Sequence, residues 1–321
     1  SYGRSRVMRF TPYAFRVLAG WAFTPRCYLE AALLADARIP AAEDLFYQPL
    51  YNNRTIDDSV LERTSAAELG WRLPGPVLDL QVTAFAVLTL DGTETRRYYD
   101  DMAGVYSDMA VTGIGRMACG VEAAADLRLA YRWSLSLAAS GGRYKYIRNP
   151  RVTVISDVDN SAVDTRAESH MGGCTLGAAP QLTACAELSY FGPRGWGFRA
   201  SAGYAGLRYV EPVPLRRTAR IARQGGITRE MFDAFTHQER LGDAFTFDAS
   251  LFKSFYFGRS RLTASLMLRN LLGDADTVYS GYGSLRVRRI RSGDALYFAP
   301  HATRYTYAYP RSFYLTISYK F

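Results

Sequence analysis

The carboxyl end of the chain reads Phe313-Tyr314-Leu315-Thr316-Ile317-Ser318-Tyr319-Lys320-Phe321. Its odd positions are all apolar or aromatic, and its even positions are Tyr, Thr, Ser and Lys. Alternation with period two describes a strand with one greasy and one wet face. The pattern recurs upstream. Segment 260–270 sets Leu262, Ala264, Leu266 and Leu268 against Thr263, Ser265, Met267 and Arg269, and 245–256 sets Phe245, Phe247, Ala249, Leu251 and Phe255 against Thr246, Asp248, Ser250 and Ser254. Lys253 falls on the apolar face there. In 76–90 Leu78, Leu80, Val82, Ala84 and Ala86 alternate with Asp79, Gln81, Thr83 and Phe85. In 118–130 Val121, Ala123, Ala125, Leu127 and Leu129 alternate with Glu122, Ala124, Asp126 and Arg128. Further strands are expected at about 195–209, 174–190, 132–146, 65–73, 26–37 and 6–23, eleven in all. They exceed the usual length of a strand in a soluble sheet, and ten or more residues is what a tilted strand needs to cross a bilayer.

The connections alternate as well. Short ones fall at Thr24-Pro25-Arg26, Pro74-Gly75-Pro76, Tyr131-Arg132, Gly192-Pro193-Arg194 and Gly258-Arg259. Long ones are expected at 38–64, 91–117, 147–173, 210–243 and 272–311. Short turns on one side and long loops on the other are the wiring of a transmembrane barrel. Charges on the polar faces, among them Asp79, Glu122, Asp126, Glu187, Arg199, Asp248 and Arg269, would be costly in a dry core and suit a wet lumen. Composition agrees. At 48% hydrophobic and 14% aromatic residues the chain is too apolar for disorder. No run approaches the roughly 18 apolar residues of a spanning helix. The expected fold is therefore all-β, an antiparallel transmembrane β-barrel wall of about eleven strands. Eleven strands leave two bare edges, which lipid does not tolerate, so partner strands are expected outside a chain that begins at Ser1 and not at Met.

The net charge is +9, and nearly all the base is arginine; the lysines are Lys145, Lys253 and Lys320. The densest clusters are Arg216, Arg217, Arg220, Arg223 and Arg286, Arg288, Arg289, Arg291. No helix-turn-helix, finger or RNA-binding signature accompanies them. They read as basic surface loops facing acidic lipid head groups or an anionic ligand, and no nucleic-acid partner is expected. Of the four cysteines, Cys174 and Cys185 are placed on one strand about 36 Å apart, beyond disulfide reach; Cys27 and Cys119 form no CxxC pair. His170, His237 and His301 form no ligand motif, so neither metal nor cofactor is expected. A hydrolytic barrel would need a nucleophile beside a histidine base, and no motif supports catalytic residues.

Several stretches resemble one family. Ala37-Arg38-Ile39-Pro40-Ala41-Ala42-Glu43-Asp44-Leu45-Phe46 resembles an R-x-P-x-x-x-[DE]-[DE]-L-F stretch. Glu68-Leu69-Gly70-Trp71 with Leu80-Gln81-Val82-Thr83-Ala84-Phe85 resembles its hairpin motif. Gly120-Val121-Glu122-Ala123, Arg269-Asn270-Leu271-Leu272 and the terminal Phe321 follow in the same order. Together they resemble the carboxyl-terminal half of the barrel of a TonB-dependent outer-membrane receptor, over almost the whole of residues 1–321. The resemblance implies a 22-stranded barrel filled by an amino-terminal plug that this chain lacks, with strands twelve to twenty-two present. It implies outer-membrane location and extracellular long loops, 38–64 being the seventh and 91–117 the eighth. It also implies contact with the TonB energy-transducing complex through the missing amino-terminal part, and Phe321 as a signal for barrel assembly.

The implied function is uptake of a scarce nutrient, foremost an iron–siderophore or similar chelate, bound at the extracellular mouth. Candidate ligand contacts on the seventh and eighth loops are Phe46, Tyr47, Tyr51, Asn53, Arg54, Tyr98, Tyr99, Asp100 and Tyr106. Tyr and Arg offer stacking area and charge to an anionic chelate. The alternatives are a glycan or peptide importer paired with a surface lipoprotein, and a passive or adhesive barrel.

Overall fold

A computed structural model describes residues 4–48, 50, 53–177, 179–223, 227–273, 276–292 and 295–321. The alternating segments pair as the sequence requires. In chain order the strands are β1 (Tyr13–Thr24), β2 (Cys27–Arg38), β3 (Glu62–Leu73), β4 (Leu78–Asp100), β5 (Val105–Ala130), β6 (Trp133–Tyr146), β7 (Arg151–Ser156), β8 (Ala162–Glu168), β9 (Leu182–Phe191), β10 (Trp196–Gly206), β11 (Arg208–Tyr209), β12 (Arg240–Leu241), β13 (Ala244–Phe257), β14 (Ser260–Arg269), β15 (Val278–Tyr282), β16 (Val287–Ser292), β17 (Ala295–Pro300), β18 (Arg304–Tyr307) and β19 (Ser312–Lys320). Two short helices lie in one long loop, α1 (Ala219–Ala222) and α2 (Arg229–Thr236). The Thr228 hydroxyl caps α2 by accepting from the Met231 N–H at 3.2 Å.

Eleven strands form one antiparallel wall in the order β1-β2-β3-β4-β5-β6-β9-β10-β13-β14-β19. The register carries one apolar face across it. Trp21 lies opposite Leu29, Leu29 opposite Trp71, and Trp71 opposite Val82. The row continues through Val82–Ala123, Ala123–Ala139 and Ala139–Ala184. On the far side Leu251 faces Leu266, and Leu266 faces Leu315. A one-residue slip anywhere would turn a strand inside out. The outward row is solvent-accessible, Leu315 at 64% and Phe313 at 75%, as lipid-facing residues are. The other face is polar, and several of its charges pair: Arg199 with Glu187 at 3.0 Å and Arg72 with Asp79 at 3.6 Å.

Lys253, the cation on the apolar face, lies opposite Trp196 and Ala264. It donates to the Arg194 carbonyl at 2.7 Å, with its ammonium 4.8 Å from the Trp196 ring centre. The stem lies along the apolar face while the head reaches the short-turn end. The short turns fall where expected, and three of them need left-handed backbone: Arg132 at φ 82°, Arg194 at φ 59° and Gly258 at φ 58°.

Three expectations need correction. The stretch 91–117 is not a loop, because β4 and β5, 23 and 26 residues long in all, extend into it from both sides and turn only at 101–104. Residues 107–112 of β5 are all buried, so neither face meets water and the alternation that marks a half-exposed strand disappears. The strand placed at 174–190 begins at Leu182, and Cys174 sits before it in a loop, bonded through its N–H to Met171 O at 2.9 Å; Cys174 and Cys185 share no strand. The first strand begins at Tyr13, and the described residues before it, 4–12, carry no strand pairing.

The buried apolar clusters lie beyond the long-loop end of the wall. One gathers Tyr98, Met109, Val111, Ile114, Tyr146, Val152, Val154, Met171 and Leu215. A second holds Tyr47, Ile56, Ala110 and Ile155, and a third Ile221, Phe235 and Val287. The β4–β5 hairpin projects past the wall, β7 pairs with β5, and β8 pairs with β7. Register shifts at Thr89/Gly92 and Gly92/Glu94 separate hairpin from wall; bulges of this kind bend a strand and re-aim its side chains.

Candidate functional site at the hairpin tip

Cross-strand pairing sets Tyr99 opposite Tyr106 at the tip of the β4–β5 hairpin. Their rings meet edge to face with centres 5.3 Å apart. A guanidinium stands over each ring, Arg286 at 5.0 Å from Tyr99 and Arg97 at 5.6 Å from Tyr106. Tyr106 is 55% exposed, and the Tyr99 hydroxyl donates to Gly104 O at 3.0 Å. Arg286 reaches this place because Asp101 holds it: Asp101 accepts from Arg286 Nε at 3.2 Å, from Arg286 Nη2 at 2.7 Å and from the Val287 N–H at 3.0 Å. Burial works to raise the Asp101 pKa, yet these donors prevail and hold it below the usual carboxylate value. Arg97 is ion-paired with Asp157. The result is a rim of two aromatic faces between two cations.

The loop ahead of β3 lies beside this rim. Phe46 bridges Thr55, the Tyr47 N–H donates to Arg54 O at 3.2 Å, and the Ile56 N–H donates to Leu45 O at 3.0 Å. Arg54 is exposed; its guanidinium stands 5.5 Å from the Tyr47 ring centre and donates to Asn160 O at 2.6 Å. The two groups meet at Asp108, which accepts from Gln48 Nε2 at 3.4 Å and lies opposite Arg97 in the hairpin. Burial raises the Asp108 pKa, and the nearby Asp157 adds to it against Arg97.

The sequence-expected contacts therefore divide. Tyr99, Tyr106 and Arg54 reach the surface, Phe46 is half-buried, and Asn53 is exposed. Tyr47 and Tyr98 are each 7% exposed and belong to the packed clusters. Burial is the leading cause that raises both phenol pKa values. The Tyr98 hydroxyl donates to Asp100 at 3.2 Å, and Asp100 pairs with Arg220 at 2.6 Å. Tyr51 lies outside the described residues. Sequence reasoning missed Arg97, Asp101 and Arg286 at the rim. The signal for Arg286 was present in its basic cluster, but nothing local joins residue 286 to residue 101. The reading of the first arginine cluster as a surface loop needs correction too: Arg216 is 8% exposed and the Arg220 side chain 15%, because 214–223 folds under the hairpin tip against Leu285 and Val287, whereas Arg286, Arg288, Arg289 and Arg291 are exposed.

A concavity of about 510 Å³ lies elsewhere, on the apolar face of the wall. It is a shallow depression where Ala123, Ala139, Ala184 and Ala202 leave space beside Leu137 and Phe245.

Known proteins place this architecture. No curated protein matches the chain. Among solved structures it resembles the FrpB iron transporter from Neisseria meningitidis, with a TM-score of 0.53 and 14% identity over 95% of this chain and 38% of that one. The copper transporter OprC gives a TM-score of 0.51 and 15% identity over 81% of this chain and 33% of that one. The ferric citrate transporter FecA gives 0.50 and 13% over 95% of this chain and 37% of that one. At such identity the likeness speaks for the fold, and the chain spans well under half the length of each. The family described as TonB dependent receptor-like, beta-barrel, matches residues 10–271. The wall, its lipid-facing row and that match agree: the chain belongs to the TonB-dependent receptors, as β-barrel wall and extracellular loops of an outer-membrane protein.

Proposed function

We propose that the receptor containing this chain takes up a scarce nutrient by TonB-dependent active transport, and that the nutrient is an iron–siderophore or a similar anionic chelate. The observation that carries this reading is the rim of Tyr99 and Tyr106 between Arg97 and Arg286. Flat aromatic area flanked by guanidinium charge suits a large anionic chelate. In this reading Tyr99, Tyr106, Arg54 and Phe46 touch the ligand, and Tyr51 joins them from the same loop. Tyr47 and Tyr98 hold the two loops from beneath. The fold's solved relatives named for copper, ferric citrate and iron add support for a metal-bearing cargo. The energy comes from the TonB complex, and outer-membrane lipid surrounds the wall.

The test is calorimetric titration of the full-length receptor with a panel of ferric chelates. At least one should bind, and Tyr106→Ala and Arg286→Gln should each weaken it about three- to tenfold, the range of a partly desolvated cation–π contact. If no ferric chelate binds, the chelate reading fails. Co-purification with a lipoprotein lid would turn the cargo toward a glycan or peptide. Ion conductance of the intact receptor in a planar bilayer would turn it toward a passive barrel.

A further inference from the structure

Among the described residues two arginines of the long loops are buried, Arg208 and Arg216, and a third, Arg220, is half-buried. Arg208, 7% exposed, donates through Nε and Nη2 to Gly242 O and through Nη1 to Tyr279 O at 3.0 Å. Arg220 also has an Nη1 without a well-aligned hydrogen bond, but its charge is met by the Asp100 carboxylate at 2.6 Å. Arg216 differs. It is 8% exposed, and among the described residues its Nε has no hydrogen-bond partner and its guanidinium makes one long hydrogen bond, from Nη2 to His301 O at 3.4 Å. Among the described residues it forms no ion pair, and burial alone pushes its pKa down with no carboxylate offsetting it. A buried charge left in this condition is costly unless something neutralises it.

Its head points into a cavity of about 370 Å³ between the loop after β10 and the segments that carry β15 to β18. A Cβ placed on Gly283, which lines that cavity, would stand 3.6 Å from Arg216 Nη1. The volume falls in the range of about 300–1,000 Å³ found for small-molecule sites. Arg217, Arg288, His237 and His301 line it as well, so the two arginine-rich stretches of the sequence converge here. Two carboxylates also line it, and both are engaged by neutral donors. Glu211 accepts from the Gly177 N–H at 2.6 Å and from the Tyr146 hydroxyl, and Glu239 accepts from the Thr303 hydroxyl at 2.6 Å and from the Tyr305 hydroxyl. Neither neutralises Arg216.

We infer that this cavity is a binding site for a phosphate group, with Arg216 as its buried anchor and Arg288 as a second cation at its mouth. A guanidinium offers a fixed fork of donors that matches phosphate oxygens two at a time. The bound group would complete the hydrogen bonding of Arg216 and clamp the loop after β10 to the last long loop. The site shares no residue with the Tyr99–Tyr106 rim above it and needs no transport, so its binding test is separate from that of the uptake reading. Two sources supply the same chemistry, free phosphate and the phosphomonoester of a lipid head group.

The test uses the full-length receptor in detergent, with radiolabelled inorganic phosphate in equilibrium dialysis against sodium chloride of matched ionic strength. Saturable binding is expected. Arg216→Gln should abolish it, while amide exchange of residues 213–217 in phosphate-free buffer becomes slower, because an uncompensated buried charge has gone. Arg288→Gln, at an exposed position that leaves folding intact, should weaken binding about tenfold, and it carries the test if the Arg216 variant does not fold. Receptor reconstituted with phosphatidic acid should show the same protection of 213–217 as free phosphate if a head group can enter, and receptor in phosphatidylcholine should not. Protection by phosphatidic acid alone assigns the lipid source; protection by free phosphate alone assigns the soluble one. Absence of protection by either, or equal phosphate binding in wild type and Arg288→Gln, overturns the site.

Discussion

The wall and the loop cluster solve opposite burial problems with one chain. In the wall, all twelve residues of β1 and most of β19 are exposed, and the apolar row faces outward. In the loop cluster the polarity is that of a soluble protein, with Met109, Val111, Val152 and Val154 at 2% exposure or less. The wall needs no core of its own because lipid is its apolar partner and the ladder between neighbouring strands satisfies the backbone from β2 to β14. The loops stand in water and must build a core. The β4–β5 hairpin belongs to both, and the register shifts near Gly92 mark the crossing.

The sharpest way to break this comparison is to strike each half by its own weakness. Arg220→Met leaves Asp100 buried at 3% exposure without its ion partner. Losing one member of a buried pair costs about 3–5 kcal/mol. Amide exchange should quicken in 98–110 and 214–223 and stay unchanged in β13, β14 and β19; a change across the wall would show that the halves are one cooperative unit. The second blow falls on the wall. Leu315→Arg puts a charge in the middle of the outward row of β19, which costs about 2–4 kcal/mol near the bilayer midplane. Urea unfolding of the receptor in lipid vesicles should show that loss. The same substitution would be nearly neutral if the row faced a lumen.

How far each half was legible in the sequence follows from the same contrast. Leu262, Leu266, Phe245, Leu78 and Val82 announced the wall because one wet face and one greasy face alternate strictly. Ser107 to Thr112 announced nothing, since both of their faces are buried and their partners come from distant segments such as 44–56 and 151–156. Tyr47 and Tyr98 were singled out for being aromatic on long loops, and that same property suits them to a core. Arg216 read as a surface charge because its neighbours in sequence are arginines, whereas its burial is decided by Leu215, Val213 and residues near 283. Asp101 and Arg286 lie 185 residues apart, beyond any local pattern.

Smaller effects sharpen the picture. Ile155→Val removes one methylene from the fully buried second cluster and should cost about 0.5–1.5 kcal/mol, read as faster exchange in 107–112 with an unchanged wall. The smallest is set by pH. The folded-state pKa of Asp101 lies below its unfolded value, so the tether it makes to Arg286 is fully present above the ordinary carboxylate pKa and is lost as pH falls through the depressed one. Below about pH 4 the hairpin tip should loosen, seen as faster exchange at 287–291. Arg286→Gln should remove most of that acid dependence. Asp108, whose pKa burial raises, has the opposite sign, and Asp108→Asn should steady the cluster at neutral pH while making little difference in acid.

Lys253 has a consequence for the bilayer itself. Its ammonium must stay at the waterline, held on the Arg194 carbonyl, and so it fixes how deep the sheet sits. Eight residues separate it from Phe245, about 26 Å along the strand. At the usual tilt of about 40° this leaves roughly 20 Å of vertical apolar height. A membrane much thicker than that would submerge the lysine or stretch the protein toward the surface, so acyl-chain length becomes a variable to which this receptor is tuned.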